Sequence, residues 1–281
     1  MSDEEPSRLE QTRDVAVVRV TLDGVTREMD VAAVEEPLEV RLHDRPFAVI
    51  MRTPGADRTL AAGFLLAEGV IEQAQELGAV EHCRHPDHPE VHNVVNVFLL
   101  GGARERVEAR LAERRNVTAS ASCGMCGRVT IESLATRVPA LRLATRVDRA
   151  FVQGLPDRLR TQQQVFERTG GLHAAALFSV QGDLAASAED VGRHNAVDKV
   201  IGAMLFEDRL PLIGHVLVVS GRTSFEIVQK AWIAGIELVC AVSAPSSLAI
   251  EVAEAAGITL VGFAREHGFN IYSHADRVEE G

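Results

Sequence analysis

Two cysteines separated by two residues are the most reactive feature of the sequence. Cys123 and Cys126 lie in the segment ASCGMCGR, among small residues and glycines. Such a pair of thiols can hold a metal ion, exchange with a disulfide, or carry sulfur as a persulfide. A structural zinc site commonly needs four protein ligands, often from a second C-x-x-C; the chain has no second one, so two histidines would have to complete the site. A thioredoxin-type pair follows an apolar strand, and no apolar strand leads into Cys123.

Sulfur carriage makes different demands on the chain around the cysteines. The thiolate must be exposed on a loop that visits two sites, and the flanking glycines predict that mobility. Arg128 and a helix beginning near Val129 would favour the thiolate form of the cysteine. The residues alone permit sulfur carriage but do not select it over redox exchange.

Two strand-to-helix turns in the second half of the chain carry polar residues. Arg222 and Ser224 follow one apolar strand in VVSGRTSFEI, and Ser243 and Ser247 follow the next in AVSAPSSLAI. Ligands of open α/β sheets gather at the carboxyl ends of strands, where helix N-termini offer free N–H groups. Because Arg222 adds a charge suited to phosphate or carboxylate, we expect an anionic ligand such as a nucleotide. The alternative is that the serines and Thr223 simply cap helices.

Histidines and charged residues between these segments could also take part. His194 and Asp198 are four residues apart, so they share a helix face and could pair for proton transfer or lock the helix end. Lys199 lies beside them, and Asp190 is predicted to cap the helix. His173 follows two glycines and precedes a strand, which suits either the same pocket or a buried histidine.

A second group of metal-binding residue types lies in the polar segment EHCRHPDHPEVH. Cys83, His85, His88 and His92 are types that bind zinc, but their spacing is irregular and prolines interrupt it. We therefore expect no permanent metal.

The elements around these residues indicate an α/β protein. The second half alternates apolar strands and amphipathic helices, which predicts a largely parallel sheet covered by helices. One helix carries an apolar stripe of Val197, Val200, Ile201, Met204 and Leu205, and in the next Glu226 and Lys230 are expected to pair on the outward face. The expected parts are a disordered acidic tail over 1–12, an α+β domain over 13–115, a mobile cysteine loop over 116–128 and an α/β domain over 129–281. Predicted strands are 15–22, 38–43, 47–52, 94–100 and 215–220, with further strands at AAALFSV, DLAASAE, ELVCAVS and ITLVGF; predicted helices are 57–71, 104–115, 157–170, 192–205 and 223–234, and one from Ser247.

Composition excludes several classes of function. The net charge of -11 argues against a broad nucleic-acid surface. The N-terminus MSDEEPSRLE is acidic and polar, unlike a secretory signal, and no apolar run approaches the length of a membrane span. We therefore expect a cytoplasmic protein, in which thiols stay reduced and a structural disulfide is disfavoured.

Several ordered segments together resemble the formate dehydrogenase accessory sulfurtransferase family (FdhD). They extend over about 36–274, nearly the whole chain. The matching segments are EPLEVRL, MRTPGADRTLAAGFLLAEGVI, SCGMCGR, TGGLHAAALF, EDVGRHNAVDKVIG, SGRTSFEIVQKA, AVSAPSSLAIEVAEAAGITLVGF and FNIYSH.

The resemblance implies a fold and a function. The implied fold is a cytidine-deaminase-like three-layer α/β sandwich with a smaller N-terminal α+β domain. Members take persulfide sulfur from a cysteine desulfurase and pass it to the molybdenum cofactor, bis(molybdopterin guanine dinucleotide), before its insertion into formate dehydrogenase. The persulfide carrier of the family matches Cys123, and Cys126 is its partner. A zinc deaminase itself is disfavoured, because Ala175 stands where the catalytic glutamate would be and the order of the motifs is reversed.

The resemblance also maps a cofactor-binding stretch onto this chain, after the last core strand. It comprises Phe263, Ala264, Arg265, Glu266, His267 and Gly268. Members often have a glycine and then a basic residue at its end, whereas this chain has His267-Gly268. Arg128 stands where lysine is common, which preserves the charge.

The resulting hypothesis is a sulfur carrier with a guanine-nucleotide site. Thiolate Cys123 would receive sulfur, and the guanine dinucleotide phosphates would lie near Arg222, Ser224 and the turn at 263–268. Since the cofactor has two guanosines, a homodimer is expected. The alternatives are a non-catalytic molybdenum-cofactor chaperone and a thiol–disulfide oxidoreductase.

Overall fold

A computed structural model describes residues 11–83, 93–107, 138–141 and 145–279. It shows a mixed α/β protein, as the sequence predicts. Within those ranges, no helix has both the length and the apolar content needed to cross a bilayer.

The chain begins with a two-stranded antiparallel ribbon. Strand β1 (Thr12–Thr21) pairs along its whole length with β2 (Gly24–Ala33). The prediction placed a strand only at 15–22 and missed β2. The sequence of β2, GVTREMDVAA, mixes charged and apolar residues without a strand-like alternation, so its pairing depends on the neighbouring β1.

A four-stranded sheet follows, with a helix against it. Its strands lie in the order β4 (Arg45–Arg52), β3 (Glu36–Leu42), β6 (Val94–Leu99) and β5 (Leu77–His82). Only β3 and β6 run parallel to each other.

The helix of this region is α1 (Asp57–Ala67). The prediction extended it to residue 71. It ends earlier because Gly69 adopts a left-handed conformation with φ 63°. The strand β5 was not predicted, and it follows a short 3₁₀ turn at Ala74–Glu76. Of the helix predicted at 104–115, residues 102–107 are helical and the rest lies outside the described ranges.

The larger sheet has six strands. They lie in the order β13 (Gly268–Ser273), β12 (Thr259–Arg265), β11 (Leu238–Ala241), β10 (His215–Val219), β8 (His173–Ser179) and β9 (Leu184–Asp190). The three central strands β10, β11 and β12 are parallel, whereas β8, β9 and β13 are antiparallel to their neighbours. The expectation of a largely parallel sheet thus holds only for the centre. The loops joining β8 to β9 and β12 to β13 are too short for a parallel crossover.

Five helices accompany this sheet within the described ranges. They are α2 (Arg149–Arg160), α3 (Gln164–Thr169), α4 (Arg193–Phe206), α5 (Phe225–Ile233) and α6 (Ser247–Ala256). The single helix predicted at 157–170 is two helices, because the backbone leaves the helical region at Gln163. A short parallel pair, β7 (Val147–Asp148) with β14 (Val278–Glu279), completes the described elements.

The helices cover both faces of the six-stranded sheet, which gives three layers. Helices α4, α5 and α6 pack on one face, and α2 packs on the other against side chains such as Ala176 and Val218. The apolar stripe predicted for α4 is confirmed; its members Val197, Val200, Ile201, Met204 and Leu205 are all buried. The specific likeness to cytidine deaminase stays a prediction.

Two glycines bring α1 of the N-terminal part against α4. A Cβ atom on Gly63 would lie 2.0 Å from the carbonyl oxygen of Asp198, and one on Gly202 would lie 1.9 Å from that of Thr59. Backbones this close admit only glycine at the crossing. One hydrophobic core therefore continues from the N-terminal sheet into the larger one. The proposed division into domains at 13–115 and 129–281 stays a prediction.

Candidate functional site

The carboxyl ends of the three parallel strands form one continuous edge. We call residues 220–224, 243–246 and 262–265 the sheet rim. The backbone N–H of Thr223 donates to the carbonyl of Ala244 over 3.2 Å, and that of Ser246 donates back to Thr223 over 2.9 Å. The N–H of Phe263 donates to Ser243 over 3.2 Å. The two turns predicted to bind an anion and the start of the predicted cofactor stretch therefore lie side by side.

Ser224 occupies the N-cap position of α5 but does not cap it with its side chain. Its Oγ lies 2.9 Å from Nε2 of His194 in the first turn of α4, while Arg222 is exposed beside it. Ser246, in contrast, does cap a helix with its side chain: its Oγ accepts a hydrogen bond from the N–H of Ala249 over 3.2 Å at the start of α6. The hydroxyl of Thr223 is buried and has no hydrogen-bond partner.

The predicted pairing of His194 with Asp198 is wrong. His194 Nε2 lies 2.8 Å from Glu226 Oε2, whereas Asp198 Oδ1 lies 2.5 Å from Lys230 Nζ. The expected outward pairing of Glu226 with Lys230 is wrong for the same reason, since helix α5 turns these two residues towards different partners on α4. The hydrogen bond from His194 holds the pKa of Glu226 below its ordinary value, although burial opposes it.

Asp190 and Lys199 form a buried ion pair that joins the two parts of the chain. Lys199 Nζ lies 2.7 Å from Asp190 Oδ2 and donates to the carbonyl of Thr53 over 2.9 Å. Asp190 does not cap α4 as predicted, because the N-cap is Gly192, whose N–H donates to Asp190 Oδ1 over 2.8 Å. These contacts fix the start of α4 against residues 51–53.

His173, the first residue of β8, is half-buried beside the sheet rim. A Cβ atom on Gly221 would lie 3.2 Å from its Nδ1. Burial lowers the pKa of His173, and the positive charges of Arg193, His194 and Arg222 lower it further. His173 therefore lies next to Gly221 of the sheet rim.

The predicted stretch 263–268 divides into two parts. Phe263 is exposed with φ 53°, the Ala264 side chain is fully buried, and Arg265 Nη1 donates to the carbonyls of Val242 and Ala264. Residues 263–265 thus belong to the rim. The expectation that the stretch follows the last core strand is wrong, because it spans the end of β12, and the two-residue turn Glu266-His267 returns the chain as β13.

The second part of the stretch faces a different depression. His267 and Gly268 line an open groove of about 410 Å³. The groove is completed by Arg149, Gln153, Phe269, Ile271, Ala275, Val278 and Glu279. The side chain of His267 is almost fully exposed there.

The C-x-x-C pair lies outside the described residues. Cys123 and Cys126 therefore remain site predictions. Of the other two cysteines, Cys83 is half-buried, and Cys240 lies in the core, where burial raises its pKa to about 12. Within the described ranges, no three His, Cys, Asp or Glu side chains group as metal ligands, and His85, His88 and His92 lie outside them.

Two residues at this site were not predicted from the sequence. Arg193, the first residue of α4, has its Cδ within 3.8 Å of a Cβ placed on Gly221. Glu226 anchors His194. Arg193 could have been recognised from its position between Gly192 and His194, at the start of the helix.

Comparisons with known proteins identify the family of this chain. The FdhD/NarQ family profile matches residues 33–279, and the chain belongs to that family. One relative is the sulfur carrier protein FdhD of Streptomyces coelicolor, 48% identical over 267 residues that cover 93% of this chain and 94% of the relative. The sulfur carrier protein FdhD of Mycobacterium tuberculosis is 45% identical over 272 residues, which cover 93% and 96% of the two chains.

A solved structure has the same fold. It is the crystal structure of a candidate formate dehydrogenase accessory protein from Desulfotalea psychrophila. The two superpose with a TM-score of 0.74 over 96% of this chain and 100% of the other, at 23% identity.

Proposed function

We propose that this chain is a sulfur carrier that moves persulfide sulfur from a cysteine desulfurase to the molybdenum bis(molybdopterin guanine dinucleotide) cofactor of formate dehydrogenase. The observation that carries the proposal is the similarity, over 93% of the chain, to a relative named as a sulfur carrier protein. The chain has a C-x-x-C pair whose first cysteine, Cys123, can carry the persulfide. The reaction takes place in the cytoplasm, where free thiols stay reduced.

The sulfur transfer is a thiolate displacement. Thiolate Cys123 attacks the terminal sulfur of the donor persulfide, a new S–S bond forms, the donor S–S bond breaks, and the donor cysteine leaves as a thiolate. Cys123 then bears the persulfide. Attack of the Cys126 thiolate on the inner sulfur would release the terminal sulfur as hydrosulfide to the acceptor and leave a Cys123–Cys126 disulfide, which a cellular dithiol reduces.

The sheet rim supplies the acceptor side of this proposal. Parallel strand ends, a helix α5 without a side-chain cap, and the exposed Arg222 suit an anionic nucleotide. Arg265 donates to the carbonyl of Val242 and so ties residues 263–265 to the end of β11. We therefore place the guanine dinucleotide phosphates near Arg222, Ser224 and residues 263–265, with Phe263 available for contact with a base.

Replacement of Arg222 tests the acceptor site. Arg222→Ala should weaken binding of guanosine diphosphate about tenfold or more, because a charge-assisted bond to phosphate is lost. Arg209→Ala is the matched control, since Arg209 is a surface arginine near His215 at the opposite end of β10. Equal affinity of Arg222→Ala and the unmodified protein would remove Arg222 from the site.

Replacement of Cys123 tests the carrier role in cells. In a strain that lacks its own carrier, the unmodified chain should restore formate dehydrogenase activity and Cys123→Ala should not. Cys83→Ser is the control, because Cys83 is a half-buried cysteine that directly follows β5, outside the C-x-x-C pair. Normal activation by Cys123→Ala would favour a chaperone that binds the cofactor without moving sulfur.

The two guanosines of the cofactor favour a homodimer with one site in each subunit. Light scattering during gel filtration should give a mass near twice 30.4 kDa. A monomer with and without guanosine diphosphate would contradict this part of the proposal.

A further inference from the structure

A histidine and two arginines from separate elements converge beside Gly221. His173 begins β8, Arg193 begins α4, and Arg222 follows Gly221 in the rim. A Cβ atom on Gly221 would lie 3.2 Å from His173 Nδ1 and 3.8 Å from Arg193 Cδ. The absence of a side chain at residue 221 therefore leaves space between these groups.

Two helices begin at the same place. Helix α4 starts after Gly192 and α5 after Ser224, and neither has a side-chain cap. His194 and Ser224 connect the two N-termini through their 2.9 Å contact. Two positive dipole ends therefore add to the positive side chains.

Buried polar atoms without partners give an independent indication of a ligand. Thr223 is 1% exposed, and its hydroxyl has no hydrogen-bond partner. The Nε of Arg193 is also buried and unpartnered. Unsatisfied buried donors are costly, and an oxygen acceptor bound beside Arg193 would satisfy its Nε.

The carboxylates around this cluster are engaged elsewhere. Asp190 faces His173 across the β8–β9 pair, but its oxygens bind Lys199, the N–H of Gly192 and the amide of Asn195. Glu226 is bound to His194. The charged groups that act on the pKa of His173 are thus Arg193 and His194 of α4 and Arg222 of the rim, which lower it, and Asp190, which raises it although it is paired with Lys199.

We propose that His173, Arg193 and Arg222 bind the diphosphate diester of a guanosine dinucleotide, and that His173 takes up a proton when this anion binds. This inference rests on the proposed function for its choice of ligand. In it, His173 and Arg193 join Arg222 in recognising phosphate, and the lack of a side chain at Gly221 favours their close approach.

The direction of the proton transfer follows from charge. In the free protein, burial and three cationic neighbours hold the pKa of His173 below its ordinary value. An anion beside the ring raises that pKa. At a pH between the His173 pKa of the free protein and that of the complex, His173 therefore takes up a proton from solvent when the anion binds. Affinity for the anion should then fall as pH rises through the bound pKa, by up to about tenfold for each pKa unit that binding adds.

The test uses diguanosine 5′,5′-diphosphate, whose diphosphate has no ionising group in the neutral pH range. Titration calorimetry in buffers of different ionisation enthalpy measures the protons bound. We expect the unmodified protein to take up close to one proton at its optimum pH, and His173→Gln to take up none and to lose the pH dependence of affinity. His215→Gln, at the opposite end of β10, should behave as the unmodified protein does.

A second variant keeps the proposal testable if His173→Gln does not fold. Arg193→Gln removes one positive neighbour, so the free pKa of His173 rises and proton uptake should become smaller and move to higher pH. Absence of binding, binding without proton uptake, or uptake retained in folded His173→Gln would each overturn the proposal. Persulfide formation with no proton uptake would refute only this inference, whereas proton uptake with no persulfide would refute only the sulfur carrier function.

Discussion

The backbone N–H of Phe263 donates to the carbonyl oxygen of Ser243 over 3.2 Å, and this bond joins the end of β12 to the turn after β11. That turn is joined in the same way to Thr223 after β10. A ligand held at residues 263–265 is therefore one hydrogen-bonded turn away from Arg222. The rim is therefore one continuous surface, and a substitution that displaces one of its turns should displace the others as well.

Gly262 is the position at which this coupling is most open to test. A Cβ atom there would lie 2.9 Å from Pro245 Cδ and 3.0 Å from Tyr272 Cε2. We expect Gly262→Ala to cost about 1–3 kcal/mol of unfolding free energy through overpacking, and to weaken guanosine diphosphate binding because the turns move apart. Urea unfolding and calorimetry measure the two effects.

Gly154 in α2 provides the matched control. A Cβ atom there meets only Arg158 Nε, at 4.0 Å. Gly154→Ala should raise the unfolding free energy by about 0.5–1 kcal/mol through helix propensity and leave binding unchanged. If Gly262→Ala bound the nucleotide as well as Gly154→Ala does, the coupling of the rim turns would be refuted.

Cys240 should be chemically inert in the folded protein. Burial raises its pKa to about 12, so at about pH 8 only about one thiol in ten thousand is ionised. Iodoacetamide followed by peptide mass mapping should label Cys240 only in denaturant. Labelling of Cys240 in the native protein, at the rate found for an exposed thiol, would show that the β11 core opens readily.

The buried pair of Lys230 and Asp198 predicts a pH-dependent loss of stability. Lys230→Met leaves a buried carboxylate without its cation, which should cost about 3–5 kcal/mol near pH 7.5. Burial already raises the pKa of Asp198 and Lys230 opposes that rise, so removal of the lysine raises it further. A carboxyl whose folded-state pKa is raised stabilises the fold at low pH and loses this effect as pH rises, so the deficit should shrink near pH 5.

Urea unfolding of Lys230→Met at both pH values measures this deficit. The double variant Lys230→Met with Asp198→Leu removes the carboxyl and should lose the extra pH dependence. An equal deficit of Lys230→Met at both pH values would show that Asp198 is not the group responsible.

Apolar patterns made much of the fold predictable. The run HVLVV of β10 and the stripe of Val197, Val200 and Met204 on α4 are buried as expected, because burial of apolar residues dominates their placement. The strand β2 could not be predicted, since its pairing with β1 and not its own pattern forms it.

Polar partners were harder to predict than apolar faces. Spacing along one helix suggested His194 with Asp198 and Glu226 with Lys230. The close approach of α4 and α5 exchanges these partners, and that approach depends on tertiary packing which a single helix does not encode. The turn with Arg222 and Ser224 was predictable because it directly follows a buried strand. Its connection to residues 262–265 through the turn at 243–246 was not, because it depends on how the strands pair in the sheet.

The most direct measurement of the central claim is the mass of the cysteine peptide after incubation with a cysteine desulfurase and cysteine. We expect a gain of about 32 Da, one sulfur atom, on Cys123, reversed by dithiothreitol and absent from Cys123→Ala. An unchanged mass, or a Cys123–Cys126 disulfide that cycles without any desulfurase, would contradict sulfur carriage and favour the chaperone or the oxidoreductase.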